Sequence, residues 1–102
     1  MASRLELHEE LCELLGTRNV YFQSPESIEM EYPCIVYALS GIDKSNANNK
    51  AYKTDKRYEI TYMDYDPDSE LPDKILSHFV KCSFDRMFVS VNLNHWVFTL
   101  YY

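Results

Sequence analysis

Residues Cys34 to Ile42 carry apolar or β-branched side chains on both faces of an extended run, the pattern of a strand covered on two sides rather than one facing water. The same double-faced character returns at the end of the chain. Trp96, Phe98, Leu100 and Tyr102 fall on one face of a strand, and His95, Val97, Thr99 and Tyr101 on the other. A chain of 102 residues has room for one core. The fold must therefore place two such strands inside a single sheet, as one domain spanning residues 1–102.

The remaining segments supply what covers that sheet. From Ser3 to Leu15 the leucines Leu7, Leu11, Leu14 and Leu15 recur at helical spacing. Ser3 with Glu6 forms a capping box and Gly16 a stop. Val20 to Phe22 is a short β-rich run ended by Ser24-Pro25. Residues 43–52 are polar and read as a loop, so Cys34–Ile42 and Arg57–Tyr65 pair as a long hairpin with a basic tip. Asp66 to Ser69 is a turn into a helix reaching about Lys81, with Leu71, Ile75, Leu76, Phe79 and Val80 at helical spacing and Pro72 tolerable in the first turn. Arg86–Val91 and His95–Tyr102 are strands around a turn at Asn92-Leu93-Asn94. Two helices can cover one face of such a sheet. The other would still present tyrosines and apolar side chains, for which a protein partner is the simplest cover.

Composition narrows the function. The 16 acidic and 10 basic residues give a net charge of −6, which opposes tight binding to duplex DNA. With only two glycines there is no glycine-rich phosphate loop. Cys12, Cys34 and Cys82 are odd in number and widely spaced, which indicates neither a disulfide framework nor a zinc site and fits a reducing compartment. His8, His78 and His95 form no ligand motif, so no metal or other cofactor is expected. No secretory signal precedes the first helix and no apolar run approaches membrane-spanning length, so no membrane role is expected.

One carboxylate pattern invites an enzymatic reading. Glu10 and Glu13 on the first helix, with Glu70 and Asp73 on the second, have the three-residue spacing that can hold magnesium, as in the all-helical nucleotide pyrophosphohydrolases. Here a long stretch of strands separates the two pairs, and Pro72 sits inside the second. A solvated acidic helix face accounts for them better, and no catalytic residue is assigned.

Charge is segregated along the chain. Residues 1–33 hold seven acids and two bases, whereas 43–57 hold five bases and two acids. This basic island, with Lys44, Lys50, Tyr52, Lys53, Lys56 and Arg57, has three readings: a solvated loop, a nucleic-acid patch, or a loop of one copy docked on the acidic face of the next. The tyrosines are too many for one small core, and those left over favour an interface.

Asn19-Val20-Tyr21-Phe22-Gln23, Met30 to Tyr37, and Tyr58 to Tyr65 followed by Asp66-Pro67-Asp68-Ser69 resemble the small tail-completion proteins of long-tailed phages and prophages. Cys82 to Arg86 and Asn92 to His95 extend the resemblance over nearly the whole chain. It is closest to the tail-terminator group. The segments read above give an α+β fold in the order α-β-β-β-α-β-β, and the resemblance, which this order matches, implies a mixed, mainly antiparallel sheet with two helices packed on one face. It further implies a hexameric ring that caps the tail tube at the head-tail junction of the virion, assembled in the host cytoplasm. The partners would be further copies of the chain, the tail-tube protein and the head connector, with DNA passing through the lumen without sequence-specific binding. A head-completion or stopper protein at the same junction is the near alternative. Under this reading Lys44, Lys50, Tyr52, Lys53, Lys56, Arg57, His95, Tyr101 and Tyr102 are expected in contacts between subunits or rings.

Overall fold

The computed structural model describes residues 4–23, 31–46 and 52–102, with side chains described outside 43–46 and 52–55. The chain is α+β, in the order α1 (Arg4–Leu15), β1 (Val20–Phe22), β2 (Cys34–Asn46), β3 (Tyr52–Asp64), α2 (Leu71–His78), β4 (Cys82–Ser90) and β5 (Leu93–Tyr101). The five strands form one sheet in the order β1-β2-β3-β5-β4. This element order is the expected one. The sheet, however, is mixed rather than mainly antiparallel: β1 lies parallel to β2, while the other three pairings are antiparallel. The connection from 23 to 33 is long enough to carry the chain back for a parallel pairing, which no tight turn could do.

Register decides which side chains meet. Ile35 opposes Tyr62 and Tyr37 opposes Ile60, while on the far side of β3 Tyr58, Ile60 and Tyr62 oppose Leu100, Phe98 and Trp96. Since alternate residues share a face, these eight side chains line the same side of the sheet. With Leu7, Leu11 and Cys12 of α1 and Leu71 and Ile75 of α2 they form the main buried cluster. A smaller cluster joins Cys34, Met63 and Leu93, which the register puts on the other side.

Several boundaries differ from the sequence expectation. The backbone of 43–46 and 52, read as loop, belongs to β2 and β3, and β3 begins at Tyr52 rather than Arg57, because cross-strand pairing carries Asp43, Lys44, Ser45 and Asn46, residues poor in strand propensity, into the ladder. The tip at 47–51, like the Ser3 cap and most of the connector before Pro33, lies outside the described residues. Helix α2 stops at His78 rather than Lys81. Phe79 is already extended, at φ −98° and ψ 132°, and buried in the core, which turns the chain into β4. Strand β4 begins at Cys82, four residues before the expected Arg86. At the entry to α2 the expected turn is present: Asp66 Oδ1 accepts from the Asp68 amide at 2.9 Å, and Ser69 Oγ from the Leu71 amide at 3.3 Å. Gly16 ends α1 at φ +84°, its amide bonded to the Cys12 carbonyl.

The hairpin between β4 and β5 turns at Val91-Asn92 rather than at Asn92-Leu93-Asn94, with Ser90 paired to Leu93. Both turn residues have positive φ, 52° and 63°. Asparagine tolerates this conformation, but a β-branched valine does so only under strain. Val91→Asn therefore stabilises the fold by about 1 kcal/mol, equivalent to about 5 °C in Tm for a domain of this size; thermal unfolding followed by circular dichroism measures it, and an unchanged or lower Tm contradicts the strain.

Candidate assembly surface

The antiparallel pairing of β3 with β5 ends at Arg57–Tyr101, yet β2 and β3 go on pairing with each other from Ile42–Lys56 to Asn46–Tyr52. Five residues of each strand thus form a two-stranded arm reaching about 17 Å beyond the three-stranded ladder. Its length contributes to the elongated shape, 51 × 27 × 23 Å. Among the described residues this ribbon has no third strand or helix paired with it, and two strands alone are marginal in water.

The root of the arm is built closely. Register shifts at Leu39/Gly41, where Gly41 faces Arg57. A β-carbon at Gly41 would stand 2.3 Å from Arg57 Nη2, so the missing side chain gives the guanidinium its place. Ser40 Oγ donates to the Arg57 carbonyl at 3.0 Å, and the Tyr102 amide donates to the Lys56 carbonyl at 3.1 Å. Beside these groups Ile42 is 57% exposed and Leu39 is also exposed. Polar anchoring and bare apolar surface meet here.

The expected contact residues therefore divide. Lys56, Arg57, Tyr101 and Tyr102 come together at the arm root. Lys44, Tyr52 and Lys53 lie on the backbone of the arm, with side chains outside the described set, and Lys50 lies outside the described residues altogether. His95 stands six residues from Tyr101 along β5, about 20 Å away. Its ring stacks on Phe88 at 4.5 Å between centroids, and its Nδ1 lies 3.0 Å from the Leu93 carbonyl. With Tyr32, Tyr65, Val91 and Leu93 it lines a shallow hollow at the β4–β5 turn. Tyr102 is less available than its terminal position implies. Its hydroxyl donates to Glu10, its ring meets Phe79 edge-on, and burial together with the Glu10 bond pushes its pKa up.

The tyrosines separate in the same way. Tyr37, Tyr58 and Tyr62 are buried, whereas Tyr65 is 60% exposed and touches Tyr32 edge-on. Sequence reading passed over the apolar surface of β4, where Phe84, Met87, Phe88 and Val89 are all exposed. The signal was an apolar run in a strand. Only the strand order reveals that β4 is an edge.

The four carboxylates of the magnesium pattern are not gathered. Glu10 bonds His78 at 3.0 Å and Tyr102, Glu13 borders a separate hollow with Arg18, and Glu70 and Asp73 line an open groove with Lys74 and His78. Among the described residues no group of three or more His, Cys, Asp or Glu is placed to hold a metal ion, and no helix is long and apolar enough to cross a membrane. The cysteines are thiols; burial pushes Cys34 and Cys82 up to about 11.

On α1, His8 Nδ1 lies 2.8 Å from the Tyr37 hydroxyl, which also accepts from Arg4 at 3.3 Å. Burial, reinforced by Arg18 and Arg4, lowers the His8 pKa from its ordinary 6.5. The unfolded chain then takes up this proton at a higher pH than the folded chain, so acidification favours unfolding. Stability is expected to fall as pH drops from 6.5 through the depressed value. In His8→Gln this part of the slope disappears, as urea unfolding midpoints across that range will record; identical slopes in the two proteins contradict it.

No protein-family model matches the chain, and no curated protein matches it.

Proposed function

We propose that the chain is a structural virion protein of the tail-terminator type, which assembles as a ring, ends tail-tube polymerisation and presents a surface to the head connector. The observation that carries the reading is the arm. It is a long ribbon whose root leaves Leu39 and Ile42 exposed, and it bears the basic island of an otherwise acidic chain. A second copy with an acidic α1 region offers both the missing support and the opposite charge. In this reading the two helices cover one face of the sheet, the arm makes heterologous contacts that close a ring of six, and function follows from surface complementarity with no catalytic step. An acidic lumen would let DNA pass without gripping its phosphates. The resemblance of the sequence segments to tail-completion proteins supports the same assignment.

Ile42 and Lys56 are direct partners, so residues 43–55 can be replaced by a two-residue Asn-Gly turn without touching the core. That variant is expected to keep its circular dichroism and to unfold cooperatively, yet to lose ring formation on tubes of the cognate tail-tube protein, seen by negative-stain electron microscopy. Wild-type rings at tube ends support the terminator reading. Bare tubes, with the protein bound instead to a purified connector, would replace it by the stopper reading, and rings formed equally well by the armless variant would remove the arm from the contact.

A further inference from the structure

Strand β4 occupies one edge of the sheet, opposite β1, and its outer side has no partner strand among the described residues. Natural edges are commonly kept short, charged or covered to prevent pairing with other chains. This one runs nine residues, Cys82–Ser90, and presents Phe84, Met87, Phe88 and Val89 to solvent. The residues just beyond its ends are barer still: Val80 is 99% exposed and Val91 91%. Such an edge accepts another strand.

The charges on β4 say which strand. A bulge between Phe84 and Arg86 sets Asp85 and Arg86 together opposite Val97. Thr99 donates to Asp85 at 2.5 Å, which places the Asp85 carboxylate on the face that carries Arg86, Val97 and Thr99. The opposite face of β4 carries Cys82, Phe84, Met87 and Val89, through their pairings with Leu100, Phe98, Trp96 and Asn94. Now let a second β4 run antiparallel with Asp85 opposite Arg86 of the second copy. Two-fold symmetry makes that contact twice. The same register sets Phe84 beside Met87, Cys82 beside Val89 and Ser83 beside Phe88 across the seam, each pair on a common face. It also brings Val80 of each copy to Val91 of the other. A slip of one residue either way sets Asp85 against Asp85 or Arg86 against Arg86, and turns neighbouring side chains to opposite faces.

We infer that two copies of this chain join through β4, antiparallel and with Asp85 facing Arg86, into a symmetric dimer with one continuous ten-stranded sheet. The contact is isologous and closes on itself. It is independent of the ring proposal, which needs a heterologous contact and uses the arm.

The test uses the intact chain and two charge reversals. Asp85→Arg leaves two arginines on the edge and Arg86→Asp leaves two aspartates, so each variant alone opposes like charges twice across the seam. In sedimentation velocity over a concentration series, wild type is expected as a dimer and each variant with self-association weakened by about tenfold or more. Mixed in equal amounts, the two variants regain a dimer, now one of each, which native mass spectrometry identifies because their masses differ. A variant that failed to fold would not be rescued by mixing, so circular dichroism of each alone separates misfolding from repulsion. Met87→Lys, away from the charges, should also weaken the dimer. A wild-type monomer at high micromolar concentration overturns the inference, and so do a dimer indifferent to either reversal and folded variants that remain monomeric when mixed.

Discussion

The three-strand ladder β2-β3-β5 is the constraint on which the rest depends. Its register stacks Ile35 beside Tyr62 and Trp96, Tyr37 beside Ile60 and Phe98, and Tyr58 beside Leu100, all on one face. A slip of a single residue would turn every one of them outward, so the buried face specifies the pairing and the pairing specifies the buried face. Three of the eight are tyrosines, and a buried hydroxyl left without a partner costs about 1–3 kcal/mol. Two of those hydroxyls are met by the elements that must be attached. His8 and Arg4 meet Tyr37 and thereby fasten α1, while Ser69 and Asp64 meet Tyr62 and fasten the turn leading to α2. Tyr102, bonded to Glu10, ties the end of β5 back to α1. The tyrosines are the means by which a sheet with few glycines and short helices holds its periphery.

How far this was legible from sequence depends on which signal a residue carries. Helix α1 announced itself, since Leu7 and Leu11 repeat at helical spacing and Gly16 stops the helix where only a positive φ will do. The element order followed from similar local signals. The arm did not, because Lys44, Ser45 and Asn46 resemble loop residues and become strand only through their partners on β3. The parallel placement of β1 was also invisible, as three residues of β-rich sequence do not say which way they will pair. The hairpin turn was misplaced by one residue because Asn92 and Asn94 flank Leu93, and turn chemistry favoured them over a valine that tertiary pairing forces into the turn.

The contact residues show the same division more sharply. The tyrosines outnumber what one small core needs, yet spacing does not separate Tyr62, sealed in the main cluster, from Tyr65, three residues on and exposed. Tyr102, expected in contacts between subunits, bonds Glu10 and meets Phe79 within its own subunit. Conversely, Met87 and Val89 read as ordinary strand residues, and Phe84 lies before the expected start of that strand. Their exposure goes with strand order: β4 is the last strand of the sheet, with no strand paired to its outer side among the described residues.

Two bare surfaces on one small sheet impose different symmetries. The arm springs from β2 and β3, and in the proposed ring its basic residues meet an acidic region elsewhere on a neighbouring copy, a heterologous contact that closes after six steps. The β4 edge meets its own likeness and is finished after one step. Between them lies β5, so β3 and β4 stand two strand spacings apart, about 10 Å, and the two surfaces occupy different elements. A chain paired through β4 therefore keeps its arm, and the pairing can join arm-bearing copies without consuming the contact that would order them in a ring. Self-complementarity on the β4 edge and charge segregation on the β2–β3 arm are compatible because β5 stands between the elements that carry them.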